Sequence, residues 1–170
     1  MVRTNIRPSV QMVREVKLLK SFSDTDLGKL IAAGHGVNFE AHGNIIIEGE
    51  QSWGLYLILE GLVGVFKTNK ITGDIYDLAH LRRGNSFGEM SLIDESPRSA
   101  TVKALTDCQL FYISQEAFGT FLSTSEAVKV GFYENCIRDL AGRLRELDEN
   151  YIVSQYQLWK IALKNSKEAA

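Results

Sequence analysis

The residues best placed to do chemistry fall in two short stretches: Phe87-Gly88-Glu89-Met90-Ser91-Leu92, and Pro97-Arg98-Ser99-Ala100-Thr101-Val102 a few residues on. Together they hold what an anion site needs. Gly88 has no side chain, so a ligand can come close to the main chain. A turn of helix over 89–93 would aim free N–H groups at a phosphate. Arg98, stiffened by Pro97, offers a planar fork of donors for two phosphate oxygens. The amides of Ser99 and Ala100, with the Ser99 hydroxyl, can complete the cradle. Glu89 breaks the pattern, because a carboxylate repels a phosphate. Its presence makes sense if the ligand also offers a hydroxyl beside the phosphate, as a ribose 2′-OH does next to a 3′,5′-cyclic phosphate.

The surrounding sequence must supply the scaffold. From about Val37 to Ile113 short β-rich runs alternate with glycine turns. The expected strands are Val37–Ala41, Asn44–Ile47, Gly54–Glu60, Leu62–Thr68, Ile75–Leu81, Ala100–Ala104 and Cys108–Ile113. His42-Gly43, Glu48-Gly49, Glu60-Gly61, Thr72-Gly73 and Gly84-Asn85 punctuate them. This texture predicts a compact barrel or roll. Leu57-Ile58-Leu59 is apolar on both faces and should lie between layers.

Helical patterns flank this region. Residues 10–34 read as helical, with Val13, Val16, Leu19 and Phe22 in register and Ser23-Asp24-Thr25-Asp26 offering a cap before Leu27, Leu30 and Ile31. Ser114 can cap a short helix through Leu122, and Ser123 with Glu126 has the spacing of a capping box that opens a long one. Two interleaved heptad series follow: Val130, Ile137, Leu144, Tyr151, Leu158 and Tyr133, Leu140, Leu147, Ser154, Ile161. A seam of that period predicts a coiled coil, and hence a homodimer through residues 130–161.

Bulk composition narrows the function classes. Hydrophobic residues make up 45% of the 170 residues and charged residues 24%, as in soluble globular domains. A net charge of −2 gives no basic footprint for nucleic acid. Cys108 and Cys136 match no metal or redox spacing and read as buried, inert thiols, and His35, His42 and His80 are too scattered for a metal site. No His-Asp pair at ligand spacing suggests a phosphodiesterase, and the four cysteines of an iron–sulfur cluster are absent, so no enzyme activity, metal or cofactor is expected. The N-terminus lacks an apolar signal core and no run approaches the roughly 20 apolar residues of a membrane span. The expectation is a cytoplasmic protein with no membrane partner. Little sequence follows the long helix, so no DNA-reading module is expected in this chain.

On these residues the sequence resembles the cyclic-nucleotide-binding domain family of catabolite activator proteins, cyclic-nucleotide-dependent kinases and nucleotide-gated channels. The resemblance spans roughly residues 18–145. It rests on Leu18-Leu19-Lys20-Ser21-Phe22, on Leu55-Tyr56-Leu57-Ile58-Leu59-Glu60-Gly61-Leu62-Val63, and on Phe87, Gly88, Glu89, Leu92, Pro97, Arg98, Ser99, Ala100 and Thr101. Ser91 departs from it, standing where many members carry alanine.

The resemblance implies an α+β fold: an antiparallel, jelly-roll-like β-roll with N-terminal helices and a long C-terminal helix. Residues 1–122 would form the nucleotide-binding unit, and residues 123–164 the helix that closes the site and dimerises. Phe87, Gly88, Glu89, Met90, Ser91, Arg98, Ser99 and Ala100 would form the ligand site, Glu89 on the ribose 2′-OH and Arg98 on the cyclic phosphate. Arg145 and Asp148 are implied as base contacts. The ligand would be cAMP or cGMP; a carboxylate at Asp148 suits adenine N6 or guanine N1 and N2, so the choice stays open. The output would be a relay through the C-terminal helix to a downstream protein. The alternatives are a nucleotide-free structural or interaction module, and a transcription regulator lacking its DNA-binding domain.

Overall fold

The computed structural model describes residues 2–4 and 6–168. It divides into two compact units, 1–135 and 136–170. In the first unit a short strand β1 (Val2–Thr4) precedes α1 (Val10–Arg14), a 3₁₀ turn (Lys17–Leu19) and α2 (Asp24–Ala33). The roll follows as β2 (His35–Phe39), β3 (Asn44–Ile46), β4 (Gly54–Glu60), β5 (Leu62–Thr68), β6 (Ile75–Arg82) and β7 (Ser86–Phe87). After α3 (Met90–Asp94) it closes with β8 (Thr101–Ala104) and β9 (Cys108–Ser114). Then come α4 (Gln115–Leu122) and α5 (Glu126–Glu168).

The strands form two antiparallel sheets, ordered β1-β2-β9-β4-β7 and β3-β8-β5-β6. Their facing sides enclose one core built on Val37, Ile46, Tyr56, Ile58, Val63, Phe87, Val102, Ala104 and Leu110. Full burial of a side chain of this size contributes roughly 1.5–3 kcal/mol. The doubly apolar run on β4 is buried along its length, Gly54 through Leu59, because α4 packs against β4 and β9 from outside the roll. Phe22 meets Phe121 edge-on at 5.7 Å, and Phe118 meets Phe132 at 4.8 Å, joining the N-terminal helices, α4 and the first turns of α5. Asn135 Nδ2 donates to Leu18 O (3.0 Å) and Ser21 Oγ (2.7 Å), satisfying a buried amide at this seam.

Residues 10–34 are helical as expected, divided into two helices and a 3₁₀ turn. The chain breaks at Val16, which is extended (ψ 122°), and at Ser23, whose hydroxyl caps α2 by accepting from Asp26 N at 3.1 Å. The long helix is not capped by Ser123. That hydroxyl donates to Gly119 O (2.9 Å) at the end of α4, and Ser125 Oγ accepts from Val128 N (3.2 Å) instead. Finally, β1 and β7, with three and two residues, carry too little pattern to be seen in the sequence.

Cys108 is buried, its Sγ 3.2 Å from Thr106 O and 3.4 Å from Leu62 O; burial pushes its pKa up, as befits an inert thiol. In the second unit α5 continues with Ile137, Leu144, Leu147, Tyr151, Leu158 and Ile161 all exposed.

Candidate functional site

The two stretches singled out in the sequence converge on one side chain. Arg98 lies in the segment between α3 and β8 and is only 5% exposed. Its backbone is fixed first. Arg98 N donates to Glu50 O (3.0 Å) and Gly49 N donates to Arg98 O (2.8 Å), locking it against the loop between β3 and β4. The guanidinium is then held at four points. Nε donates to Ser52 Oγ (3.1 Å), Nη1 to Gly88 O (3.1 Å) and Ser91 Oγ (2.9 Å), and Nη2 to Gly54 O (3.2 Å). All four acceptors are neutral oxygens. Burial lowers the Arg98 pKa; the fields of Tyr56, Tyr112, Glu89 and Glu50 oppose that shift.

Gly88 makes this approach possible. It sits at φ +88°, in the left-handed region, and a Cβ there would lie 2.5 Å from Gly54 O and 2.7 Å from Arg98 Nη1. Ser91 is buried, its hydroxyl donating to Gly88 O at 3.2 Å while it accepts from Arg98. The departure from alanine at this position therefore adds a ligand to the guanidinium. Glu89 opens α3, is 3% exposed, and acts on Arg98 electrostatically. Phe87 is a wall residue: its ring stacks on Tyr56 (centroids 5.0 Å apart, 8° between planes) inside the core. Tyr56 in turn meets Tyr112 at 4.8 Å, and burial pushes the Tyr56 phenol up to about 12.

Across the segment, Ser99 and Ala100 are the last residues before β8. Ser99 O accepts from Lys67 Nζ of β5, and Ser99 Oγ lies 3.8 Å from the Met90 sulfur. Lys67 also pairs with Glu48 (2.9 Å), which accepts from Thr68 N at 3.1 Å. Glu48 N donates to Thr101 Oγ1 at 3.0 Å. This clamp joins β5, the β3–β4 loop and the start of β8, and it holds the Glu48 carboxyl below its usual pKa.

Of the sequence-derived residues, Phe87, Gly88, Glu89, Met90, Ser91, Arg98, Ser99 and Ala100 come together in the first unit. Arg145 and Asp148 belong to the second unit, exposed on α5. Sequence reasoning missed Ser52, Gly54, Glu48 and Lys67. The first two lie 46 and 44 residues before Arg98, and a loop serine and a glycine at the first position of a strand carry no pattern that marks them. Among the described residues no group of three or more His, Cys, Asp or Glu could hold a metal, and no helix is long and apolar enough to cross a membrane. What the arrangement offers is a buried fixed cation, an acid and a cradle of backbone around them: an anion-binding β-roll.

The wider comparison gives that class its family. The family described as "Cyclic nucleotide-binding domain" matches residues 36–125, and the chain belongs to it. Among curated relatives, the cAMP-dependent protein kinase regulatory subunit of Aspergillus niger is 30% identical over 116 residues. That stretch is 68% of this chain and 27% of the relative, so the match spans little more than a quarter of that protein. A cyclic nucleotide-binding domain from Methylobacillus flagellatus superposes with a TM-score of 0.71 at 28% identity, covering 81% of this chain and 77% of that one. The regulatory domain of Toxoplasma gondii PKA, crystallised with cAMP, gives 0.62 at 27% identity, covering 66% of this chain and 42% of its own.

Proposed function

We propose that this chain is a sensor of a cyclic purine mononucleotide and carries no catalytic step of its own. The observation that carries the reading is Arg98: a buried guanidinium whose hydrogen bonds run to four neutral oxygens. Taking a cation out of water is costly unless an anion joins it. A cyclic phosphate would supply an anion to its donors in addition to the field of the buried Glu89, and a 2′-OH beside it would supply the donor that suits Glu89. Phosphate contacts fall to Arg98, Gly88, Ser99 and Ala100, with Met90 and Ser91 shaping the turn and Phe87 backing it.

Between the two ligands cAMP is preferred, because the relatives named above are a cAMP-dependent regulatory subunit and a regulatory domain crystallised with cAMP. Base contacts are assigned to Arg145 and Asp148 on the family resemblance alone. We read residues 1–122 as the sensing unit and 123–164 as the relay. In the single chain Val130, Ile137, Leu144, Leu147, Tyr151, Leu158 and Ile161 are each more than half exposed. That apolar seam supports a parallel homodimer that passes the signal to a downstream protein in the cytoplasm.

Titration calorimetry of Arg98→Ala against the native chain tests the site. Losing the buried cation at the phosphate should cost roughly 2–5 kcal/mol, a loss of at least about thirtyfold in affinity for cAMP. Native-like affinity in that variant, or no thermal stabilisation of the native chain by either nucleotide, refutes the assignment.

A further inference from the structure

The heptad seam leaves part of α5 unexplained. On the opposite side of the helix, Ile152, Tyr156 and Trp159 recur at i, i+4 and i+7, 66%, 57% and 60% exposed. The Tyr156 and Trp159 rings lie 6.2 Å apart, centroid to centroid. A two-stranded coil through the seam would leave these positions in water, since it buries only the a and d residues. Toward its end α5 is therefore apolar on two opposed faces, and a helix apolar on all sides is normally buried.

Charge says what covers the second face. Viewed down the helix from Tyr156, Ile152 and Trp159 stand on one shoulder of the face. Glu146, Glu149, Lys160 and Lys164 stand on the other, with the acids N-terminal of Tyr156 and the lysines C-terminal. All four charged residues are exposed, and from Asn150 to Lys164 the chain has no acid. A two-fold axis through Tyr156 satisfies every part of this pattern. It sets Ile152 of each copy against Trp159 of the other and the lysines of each beside the acids of the other. A parallel pairing through the same face would instead set the charged shoulder of each copy against the Ile152 and Trp159 shoulder of the other, leaving the charges opposite apolar side chains.

We propose that this face docks a second copy of the chain in antiparallel orientation, an isologous contact centred on Tyr156. It is independent of the nucleotide reading and of the seam. Where the seam also pairs, each seam dimer presents this face twice on its outside, so dimers join into a larger assembly; where it does not, the assembly is a dimer.

Light scattering on the full chain, with and without I152S/W159S, is the test. These side chains are exposed, so the variant should keep its helix content by circular dichroism while its mass falls to that of the seam dimer or of the monomer. The K160E and K164E reversals together should lower the mass in the same way, and adding E146K and E149K should restore it. Tyr156→Cys should cross-link two copies on oxidation, with the native chain as control. An unchanged mass in I152S/W159S, a charge reversal that E146K/E149K does not rescue, or no cross-link at Tyr156→Cys overturns the proposal. So does native-chain binding to phosphatidylglycerol vesicles that is lost in I152S/W159S with no change in mass, which would make the partner a lipid surface.

Discussion

Replacing Gly88 by alanine separates the geometry of the anion cradle from ordinary backbone strain. Two costs are expected. The residue sits at φ +88°, and an L side chain there costs roughly 1–2 kcal/mol. The new Cβ would also lie 2.5 Å from Gly54 O and 2.7 Å from Arg98 Nη1, so a β4 carbonyl or the guanidinium must move. Overpacking of this kind costs roughly 1–3 kcal/mol more. Gly49 is the control: its φ is +84°, but a Cβ there meets nothing within 4 Å. Gly49→Ala should thus show the strain alone, and Gly88→Ala the strain plus the clash. In urea unfolding Gly88→Ala should lose about 2–5 kcal/mol against about 1–2 for Gly49→Ala. In calorimetry only Gly88→Ala should lose cAMP affinity strongly, because only it displaces Arg98. If both variants lost equal stability, and Gly88→Ala bound cAMP as tightly as Gly49→Ala, the idea that this glycine exists to admit the guanidinium would fail.

Other consequences concern groups around the cradle. Ser91→Ala removes one of the four hydrogen bonds on the Arg98 guanidinium. A bond to a charged group is worth roughly 1.5–3 kcal/mol, part of which Gly88 O retains, so cAMP affinity should fall roughly three- to thirtyfold; unchanged affinity would make Ser91 dispensable. Glu48 has a folded pKa below its usual 4.5, owing first to its hydrogen bond with Lys67. Its contribution to stability is therefore present above that usual value and lost as pH falls through the lower folded one. Glu48→Gln should be less stable than the native chain at neutral pH and converge with it in acid; a gap that stayed constant to pH ~3 would refute the clamp. Tyr56 runs the other way. Its phenol is raised from 10.0 to about 12, so the neutral ring stabilises fully below the unfolded pKa and the benefit disappears as pH rises through the folded one. Between those limits the native chain should lose about 2–3 kcal/mol relative to Tyr56→Phe; parallel pH profiles would show the ring to be less buried than it is here.

How much of this could be read in advance depends on the distance over which each feature is encoded. The cradle was legible because Gly88, Glu89 and Arg98 lie within eleven residues, and each residue type answers a separate demand of one ligand. The strands were legible because glycine turns divide them; Gly54–Glu60 and Leu62–Thr68 end where the sequence puts them. The cap of α5 was misread because Ser123 and Ser125 both precede Glu126. Only the end of α4, where Ser123 is drawn to Gly119 O, decides between them. Ser52, Gly54 and Lys67 were invisible for a deeper reason. Each reaches the Arg98–Ser99 segment across 32 to 46 residues, and their types are common in any loop or strand.

That division bears on how a sensor of the proposed kind would work. The part of the site that would touch the ligand is local in sequence, whereas half of the contacts that fix the Arg98 guanidinium, those of Ser52 and Gly54, come from the β3–β4 loop and the start of β4. A guanidinium held by neutral oxygens of the scaffold is placed before any ligand arrives, which limits the ordering cost that binding must meet. The four contacts use four of the five N–H groups that a guanidinium offers. A phosphate taking two donors would therefore loosen at least one of Ser52, Gly54, Gly88 and Ser91 from Arg98. Two of these, Gly88 and Ser91, flank Glu89 at the start of α3. A phosphate that drew Arg98 off Gly88 O while Ser91 held it would thus act first on the start of α3, so the strength of the Ser91 contact sets how tightly anion binding is coupled to that turn.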